Sequence, residues 1–282
     1  SNLLSKTEGG QAMLWGTIIG DLAGSLYEAA CANGTKVVPP PEAPLFPAGA
    51  HITDDTVTTL AVAAAIRESK ATADGLTTCV ARQLRYWCRR YPGIGYGPLF
   101  IRWYESDTAG PYGSLGNGAA MRVAPVAWAG QSLREVLALA ELTAVVTHNH
   151  PEAIRGALAV AAAIYLARKG TSQRDLRTYL QHYYPLQTPL AAIRRDYHFS
   201  ACTADSVPEA LEAFLASHSF EGAIRNALSL GGDTDTQAAI AGSIAEAYYG
   251  VPLALKTEAA SFLPDPLAQE RQRFECFIKN NK

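Results

Sequence analysis

The chain has 282 residues and a formal net charge of -2, so it lacks the strongly basic surface on which generic nucleic-acid binding depends. Its five cysteines are scattered without a CxxC pair, and no apolar run reaches the roughly 18 residues of a membrane span, so no disulfide framework, structural zinc site or membrane segment is expected. Hydrophobic residues make up 48% of the chain and include many alanines, which favours closely packed helices and an all-α fold. The even composition without a linker predicts one domain, residues 1–282. The unpaired cysteines and the lack of a membrane segment predict a cytoplasmic protein, which we expect to be a monomer.

The first periodic segment predicts a helix over Gly10–Ala30, with apolar residues at three- and four-residue spacing. Glycines at positions 16, 20 and 24 interrupt this segment and line one face. Because each glycine costs about 1 kcal/mol against alanine inside a helix, their repetition indicates that a neighbouring backbone or a ligand approaches this face closely. The proline-rich residues 33–50 then form an irregular loop.

Helical periodicity dominates the rest of the chain, and no alternating pattern predicts a strand. Residues 91–117 form a long loop rich in glycine and proline, and loops of this length in compact domains are usually functional or disordered. No chemistry can be assigned to Lys256–Lys282. The predicted helices cover Asp54–Ser69, Gly75–Arg90, Leu99–Trp103 within the long loop, Leu133–Val146, Pro151–Lys169, Gln173–Gln181, Val207–Ser217, Phe220–Leu228 and Asp235–Tyr249.

Two similar acidic segments begin helices that lie far apart in the sequence. They are Thr53-Asp54-Asp55-Thr56 and Gly231-Gly232-Asp233-Thr234-Asp235-Thr236. Helix capping explains either segment alone, but one cap needs only one acceptor, whereas together they supply four carboxylates and four hydroxyls without an adjacent Lys or Arg. If the segments pack together they require cations. Hard oxygen ligands select Mg²⁺, Mn²⁺ or Ca²⁺, and two such ions can orient vicinal hydroxyls and activate a water.

Two further features carry side chains suited to this chemistry. Asp21 lies seven residues before Glu28, two helical turns away on nearly the same face, and either residue could supply a fifth carboxylate. A lone glutamate near a helix end is nevertheless usually solvated. In the loop Gly113–Gly118, glycines allow backbone N–H groups to converge on a diphosphate, with Ser114 and Asn117 as additional donors.

Five segments in fixed order strengthen this interpretation: GTIIGDLAGSLYEAA, ITDDT, GSLGNGAAMRVAP, THNHPEAIRGALAVAAAI and LGGDTDTQAAIAGSIAEAYYG, from about Gly16 to Pro252. They resemble the ADP-ribosylglycohydrolases, a family that includes ADP-ribosylarginine hydrolases, dinitrogenase-reductase-activating enzymes and ADP-ribosylserine hydrolases. The pairing of TDDT with GGDTDT is the most specific part. The resemblance implies a single-domain orthogonal bundle of many helices with a dinuclear magnesium site in a cleft, ligated by Thr53, Asp54, Asp55, Asp233, Asp235 and Thr236.

The resemblance also implies roles for individual residues. It places Glu28 beside the metals as a catalytic residue, together with Asp54 and Asp235. The family position that matches Leu115 is often aromatic, so the contact with the distal ribose or base is left open. The residues implied to bind ADP-ribose are Gly113, Ser114, Leu115, Gly116, Asn117 and His148.

The reaction that the resemblance implies is attack of a metal-oriented water on the anomeric carbon of an ADP-ribosyl group, with two Mg²⁺ ions or Mn²⁺ as the cofactors. The partner is then an ADP-ribosylated protein or peptide, linked through an arginine nitrogen or a serine oxygen, and the product is free ADP-ribose. Two alternatives stay open. One is hydrolysis of another ADP-ribose derivative, such as O-acyl-ADP-ribose, and the other is a non-catalytic ADP-ribose-binding relative.

Overall fold

The computed structural model describes residues 12–281, and nearly all regular structure within them is helical. Among these residues, β-pairing is confined to one isolated bridge between Gly116 and Cys202. The all-α prediction is therefore confirmed. The helices are α1 (Trp15–Gly24), α2 (Glu28–Ala32), α3 (Asp54–Glu68), α4 (Leu76–Arg90), α5 (Pro98–Glu105), α6 (Gly118–Met121), α7 (Ala124–Ala129), α8 (Leu133–Ala144), α9 (Pro151–Arg168), α10 (Gln173–Leu180), α11 (Leu190–Asp196), a 3₁₀ turn (Thr203–Asp205), α12 (Val207–Leu215), α13 (Phe220–Leu228), α14 (Thr234–Tyr249), α15 (Leu253–Ala260) and α16 (Asp265–Asn280).

Helix α14 is buried along almost its whole length and forms the centre of the bundle. Helix α1 packs along it, and α9, α12 and α13 cover other sides. The approach of α1 depends on glycine, since a Cβ at Gly16 would lie 2.1 Å from the Gly242 carbonyl oxygen and one at Gly20 would lie 2.2 Å from that of Ala238. The glycine face therefore serves contact with a neighbouring backbone, one of the two explanations that its spacing allowed.

The prediction of one continuous helix over Gly10–Ala30 is wrong. Gly10 lies outside the described residues, and the chain turns at residues 25–27, between α1 and α2. The Ser25 hydroxyl donates to the Leu22 carbonyl oxygen at 3.0 Å and accepts the His51 N–H at 3.1 Å. These bonds tie the end of α1 to the loop that enters α3. The short helix α2 then places Glu28 in the wall of a pocket.

The two helix starts predicted from the acidic segments are confirmed. Helix α3 begins at Asp54, as expected, and α14 begins at Thr234, one residue earlier than expected. Helix α1 contacts both α3 and α14, and a carboxylate oxygen of its Asp21 lies within 4.8 Å of carboxylate oxygens of Asp55 and Asp235, one in the first turn of each helix. This arrangement positions the site described below.

Several helices lie in segments for which the sequence predicted none: α6, α7, α11, α15 and α16. Helix α16 packs against α3, where its Glu270 pairs with Arg67 at 3.1 Å, and its Arg271 guanidinium lies 4.6 Å from the centre of the Trp15 ring. Charged residues of α16 thus make buried contacts, which explains why its apolar pattern is weak. No helix within residues 12–281 combines the length and apolarity needed to cross a bilayer.

Candidate active site

Asp21 holds the N-terminus of α3 in place. Its carboxylate accepts the backbone N–H groups of Thr53 at 2.8 Å and Thr56 at 3.2 Å, and both threonine hydroxyls at 2.6 and 2.5 Å. Asp21 lies in the middle of α1 and is fully buried. A carboxylate with four donors is a strong charge-assisted cap. Helix α1 therefore fixes the position of the first turn of α3, which carries Asp54 and Asp55.

The N-terminus of α14 meets that of α3 through contacts between hydroxyls and carboxylates. The Thr53 hydroxyl lies 3.1 Å from a carboxylate oxygen of Asp235, and the Thr236 hydroxyl donates to Asp55 at 3.1 Å. All four of these side chains are buried. The structure thus brings together the two acidic segments that lie far apart in the sequence.

Carboxylate oxygens converge in two groups that share Asp235. Asp21, Asp55 and Asp235 form one group, Glu28, Asp233 and Asp235 form the other, and the ligand atoms within each group lie within 4.8 Å of one another. No Lys or Arg among residues 12–281 forms an ion pair with any of them. Two full negative charges about 4 Å apart repel by about 4 kcal/mol at an effective dielectric constant of about 20, so the groups require protons or cations.

Burial and mutual repulsion raise the pKa values of these carboxyl groups. The pKa of Glu28 is raised to about 8, first by burial and then by the charges of Asp235 and Asp21. Burial, followed by the charge of Glu28, raises the pKa of Asp233 to about 6. The pKa values of Asp55 and Asp235 are raised well above the usual range, again chiefly by burial. The cluster therefore retains protons near neutral pH, and a cation that binds there displaces them.

The donor set fits hard divalent cations. The converging atoms are carboxylate and hydroxyl oxygens, and Oδ1 of Asp55 is buried without a hydrogen-bond partner in the described part of the chain. An unsatisfied buried acceptor costs about 1–3 kcal/mol, which coordination would offset. Two groups that share one carboxylate could hold neighbouring ions, and oxygen ligands favour Mg²⁺, Mn²⁺ or Ca²⁺ over zinc.

The ligand set implied by the resemblance differs in part from the two carboxylate groups. Asp54 belongs to neither group, and its carboxylate lines the pocket, where a Cβ on Gly95 would lie 2.9 Å from its Oδ1. Gly95 also has a φ of 119°, a conformation that favours glycine. Conversely, Asp21 belongs to the first group, although the resemblance did not include it among the ligands.

A cavity of about 340 Å³ lies beside the acidic cluster. Its acidic wall contains Glu28, Asp54, Asp233, Asp235 and Thr236. Of the residues expected to bind ADP-ribose, those that line the cavity are Ser114, Gly116, Asn117 and His148, whereas Gly113 and Leu115 lie outside it. The Leu115 side chain is 48% exposed. The cavity therefore joins the acidic cluster to most of the predicted substrate-binding residues.

Hydrogen bonds within the loop Gly113–Gly118, and from the loop to Asn149, hold it in place. The Gly113 N–H donates to Oδ1 of Asn149 at 2.7 Å, and the Gly116 N–H donates to the Ser114 hydroxyl at 3.1 Å. These N–H groups, which the sequence suggested as diphosphate donors, have protein acceptors in this structure. The loop therefore forms a fixed part of the cavity wall before any ligand binds.

Asn117 links this loop to the acidic cluster. Its backbone N–H donates to the Ala201 carbonyl oxygen at 2.9 Å, and its side-chain amide donates to Asp233 at 2.7 Å and to the Ser206 hydroxyl at 3.1 Å. Because both amide hydrogens are engaged, Asn117 orients Asp233 rather than presenting a free donor to the cavity.

His148 is buried, with 4% of its surface exposed, and lies beside the glycine loop. Its Nδ1 lies 2.6 Å from the Thr147 hydroxyl, and its Nε2 would lie 3.0 Å from a Cβ at Gly118. Burial, and then the nearby charge of Arg122, lowers the pKa of His148 well below the usual range. The ring is therefore neutral, with one nitrogen as donor and the other as acceptor.

Arg122 is the main side chain at the site that the sequence analysis missed. It lines the cavity but is only 1% exposed. The available signal was its position as a single cation within the apolar run Ala119–Val126. A basic residue in such a run is rarely buried without specific partners, so its setting predicts buried contacts without identifying them.

The fold and the site together define a helical protein with a cluster of buried carboxylates at one wall of a cavity. A family model described as ADP-ribosylglycohydrolase matches residues 5–268, nearly the whole chain. The chain therefore belongs to the ADP-ribosylglycohydrolase family and is a hydrolase of that family. The resemblance stated from the motifs is confirmed.

Individual relatives agree with the family model. The chain is 30% identical to the ADP-ribosyl-dinitrogen reductase glycohydrolase of Rhodospirillum rubrum, over 71% of this chain and 70% of the relative. It is 27% identical to the ADP-ribosylhydrolase ARH3 of Homo sapiens, over 84% of each chain. A solved structure described as an ADP-ribosylglycohydrolase-related protein complex has a TM-score of 0.65 at 23% identity, covering 95% of this chain and 94% of that chain, which supports the fold alone.

Proposed function

We propose that the protein removes ADP-ribose from modified protein side chains by cleaving an N-glycosidic link to arginine or an O-glycosidic link to serine. The observation that carries the proposal is the pair of carboxylate groups that share Asp235, because Glu28, Asp233 and Asp235 line one wall of a cavity. The other wall of this cavity contains Ser114, Gly116 and His148. Relatives whose names describe ADP-ribosyl glycohydrolysis support the class of substrate.

The proposed cofactors are two Mg²⁺ ions, with Mn²⁺ as a substitute. When bound, they would supply positive charge that holds the ribose hydroxyls, polarises a water and stabilises the charge that develops in the transition state. Asp21 would support this set by fixing the N-terminus of α3. The proposed ligands are Thr53, Asp54, Asp55, Asp233, Asp235 and Thr236.

Glu28 is the proposed proton acceptor. It is half-buried in the cavity wall, and a carboxylate oxygen lies within 4.8 Å of carboxylate oxygens of Asp233 and Asp235. The oxygen of an attacking water forms a bond to the anomeric carbon while the bond from that carbon to the arginine nitrogen or serine oxygen breaks. Glu28 takes a proton from the water and returns it to the leaving atom, so protons balance over the cycle.

The remaining pocket residues would bind the ADP-ribosyl group away from the reacting carbon. Ser114, Gly116 and His148 line the cavity, and Asn117 orients Asp233. Leu115 is exposed outside the cavity wall, where it would contact the distal part of the ligand at the rim.

The test compares mono-ADP-ribosylated arginine and serine peptides as substrates, with Mg²⁺ or with EDTA, and measures released ADP-ribose. We expect release from at least one linkage in Mg²⁺ and none in EDTA. The double variant Asp54→Ala/Asp235→Ala should lose at least about a hundredfold in rate, because the charges that stabilise the transition state depend on these ligands. Asp74→Ala is the matched control, since Asp74 is exposed and lies outside the cluster.

If neither peptide is cleaved although Mg²⁺ and ADP-ribose bind, the proposed activity is wrong. O-acyl-ADP-ribose in the same assay then separates a hydrolase with another substrate from a non-catalytic ADP-ribose-binding protein.

A further inference from the structure

A buried arginine is connected to His148 through one threonine. Arg122 forms no ion pair with a carboxylate among residues 12–281. Its Nη2 donates to the Thr143 carbonyl oxygen at 3.0 Å and to the Thr147 hydroxyl at 2.9 Å. The same hydroxyl lies 2.6 Å from Nδ1 of His148. The guanidinium, the hydroxyl and the imidazole therefore form one hydrogen-bonded chain.

This chain determines which ring nitrogen carries the proton. The Thr147 hydroxyl accepts from the Arg122 guanidinium, and the only other side-chain partner within the described residues is His148. A proton on Nδ1 would leave the buried hydroxyl hydrogen without an acceptor, which is costly. The hydroxyl therefore donates to Nδ1, and the single proton of the neutral ring lies on Nε2.

His148 lines the cavity, and its Nε2 lies beside the glycines of the loop Gly113–Gly118. Nε2 has no acceptor in the part of the chain that the structure describes, and it would lie 3.0 Å from a Cβ at Gly118 and 3.7 Å from one at Gly116. In the adjacent loop, the N–H groups of Gly113 and Gly116 are already engaged. The Nε2–H group is consequently a free, fixed donor on this wall.

We infer that Arg122 and Thr147 are positioning residues that hold His148 as an Nε2–H donor to an acceptor oxygen of the bound ADP-ribosyl group. The identity of the ligand rests on the proposed function, whereas the tautomer of the ring does not. Without the Thr147 hydroxyl, the ring can take either tautomer and either orientation, and part of the population presents a nitrogen lone pair to the ligand oxygen.

The first arm measures the tautomer directly in the full-length protein without ligand. Correlation spectra of protein labelled with ¹⁵N-histidine distinguish Nε2–H, Nδ1–H and doubly protonated rings, and His148→Gln assigns the signal. We expect Nε2–H in the wild type and in Thr147→Ser, and a substantial Nδ1–H population in Thr147→Val. Thr143→Val is the matched control, because the Thr143 hydroxyl donates to the Ala140 carbonyl oxygen at 2.9 Å and does not contact the ring.

The second arm measures ADP-ribose affinity by calorimetry in Mg²⁺. Thr147→Val should weaken binding about five- to tenfold, the loss expected for one oriented hydrogen bond, while Thr147→Ser and Thr143→Val should stay close to the wild type. His148→Gln, which places an amide N–H near the position of Nε2, should retain more affinity than His148→Asn.

The outcomes separate this inference from the proposed function. An Nδ1–H or doubly protonated His148 in the wild type overturns the inference, as does a Thr147→Val protein that keeps both the Nε2–H tautomer and wild-type affinity. If the folded wild-type protein does not bind ADP-ribose, the proposed function fails, and the spectra alone decide the tautomer.

Discussion

A single glycine, Gly118, allows the close approach of the loop Gly113–Gly118 to His148. A Cβ at Gly118 would lie 3.0 Å from both Cε1 and Nε2 of the ring, closer than ordinary van der Waals contact. The ring cannot shift freely because its Nδ1 is bonded to Thr147. We expect Gly118→Ala to raise KM about tenfold with a smaller change in kcat, because a misplaced donor weakens ligand binding.

Steady-state kinetics and a thermal melt check this prediction together. Gly110→Ala is the control, because a Cβ at Gly110 meets no atom within 4 Å and the residue has no positive φ. An unchanged KM for Gly118→Ala in a folded protein would contradict the prediction.

Residue types at the site could be predicted from sequence, but long-range partners could not. The oxygen donors at Asp55 and Asp235 follow from charge and spacing alone, since so many carboxylates without a nearby cation require a counter-charge. The orientation of His148 depends on Arg122, 26 positions earlier, through contacts that only the fold creates. The engagement of Asn117 with Asp233 was unpredictable for the same reason.

Among the helices, the contact between α1 and α14 offers the sharpest test of packing. A Cβ at Gly20 would lie 2.2 Å from the Ala238 carbonyl oxygen, so Gly20→Ala forces the two backbones apart. Alanine gains about 1 kcal/mol in helix propensity, but overpacking against backbone costs more, and we expect a net loss of about 2 kcal/mol or more. Separation of the helices would also move Asp21 away from Asp235 and weaken magnesium binding.

Chemical denaturation and magnesium titration measure the two effects of Gly20→Ala. Gly97→Ala serves as the stability control, since Gly97 has a φ of -66° and a Cβ there meets no atom within 4 Å. A Gly20→Ala protein as stable as the wild type would show that α1 and α14 can separate without cost.

Helix boundaries were predictable where a local signal determines them. Thr53 caps α3 with its own side chain, and the prediction placed the start of α3 at the correct residue. The turn after α1 depends instead on contacts of Ser25 with residues that include the distant His51, so periodicity extended the helix too far. Helix α16 was not predicted because its apolar pattern is weak. Its position depends instead on tertiary contacts, namely those of Glu270 with Arg67 and of Arg271 with Trp15.

For the whole molecule, stability depends on how the buried carboxylates are neutralised. Without cations, the pKa of Glu28 is about 8 and that of Asp233 about 6, against ordinary values of 4.5 and 3.8. Between about pH 4 and 8 the folded state therefore binds more protons than the unfolded chain, so the free energy of unfolding falls as the pH rises through this window. The lowered pKa values of His148 and Glu68 act in the opposite sense. Glu68 is exposed and screened by solvent, and one imidazole does not offset the several buried carboxyl groups.

Magnesium should oppose the fall in the free energy of unfolding at higher pH. Its effect should grow with pH, because the cations compete with protons for the same carboxylate oxygens. At a concentration of 100 times its Kd, each of the two proposed magnesium ions should stabilise the protein by about 2.7 kcal/mol at pH 8, which raises Tm by about 5–10 °C per ion for a chain of this size. Calorimetry at pH 5 and pH 8, in Mg²⁺ or EDTA at matched ionic strength, measures the difference. Asp235→Asn should lose most of the shift, since Asp235 belongs to both carboxylate groups. Equal magnesium shifts at both pH values would mean that the buried carboxyl groups do not exchange protons for cations.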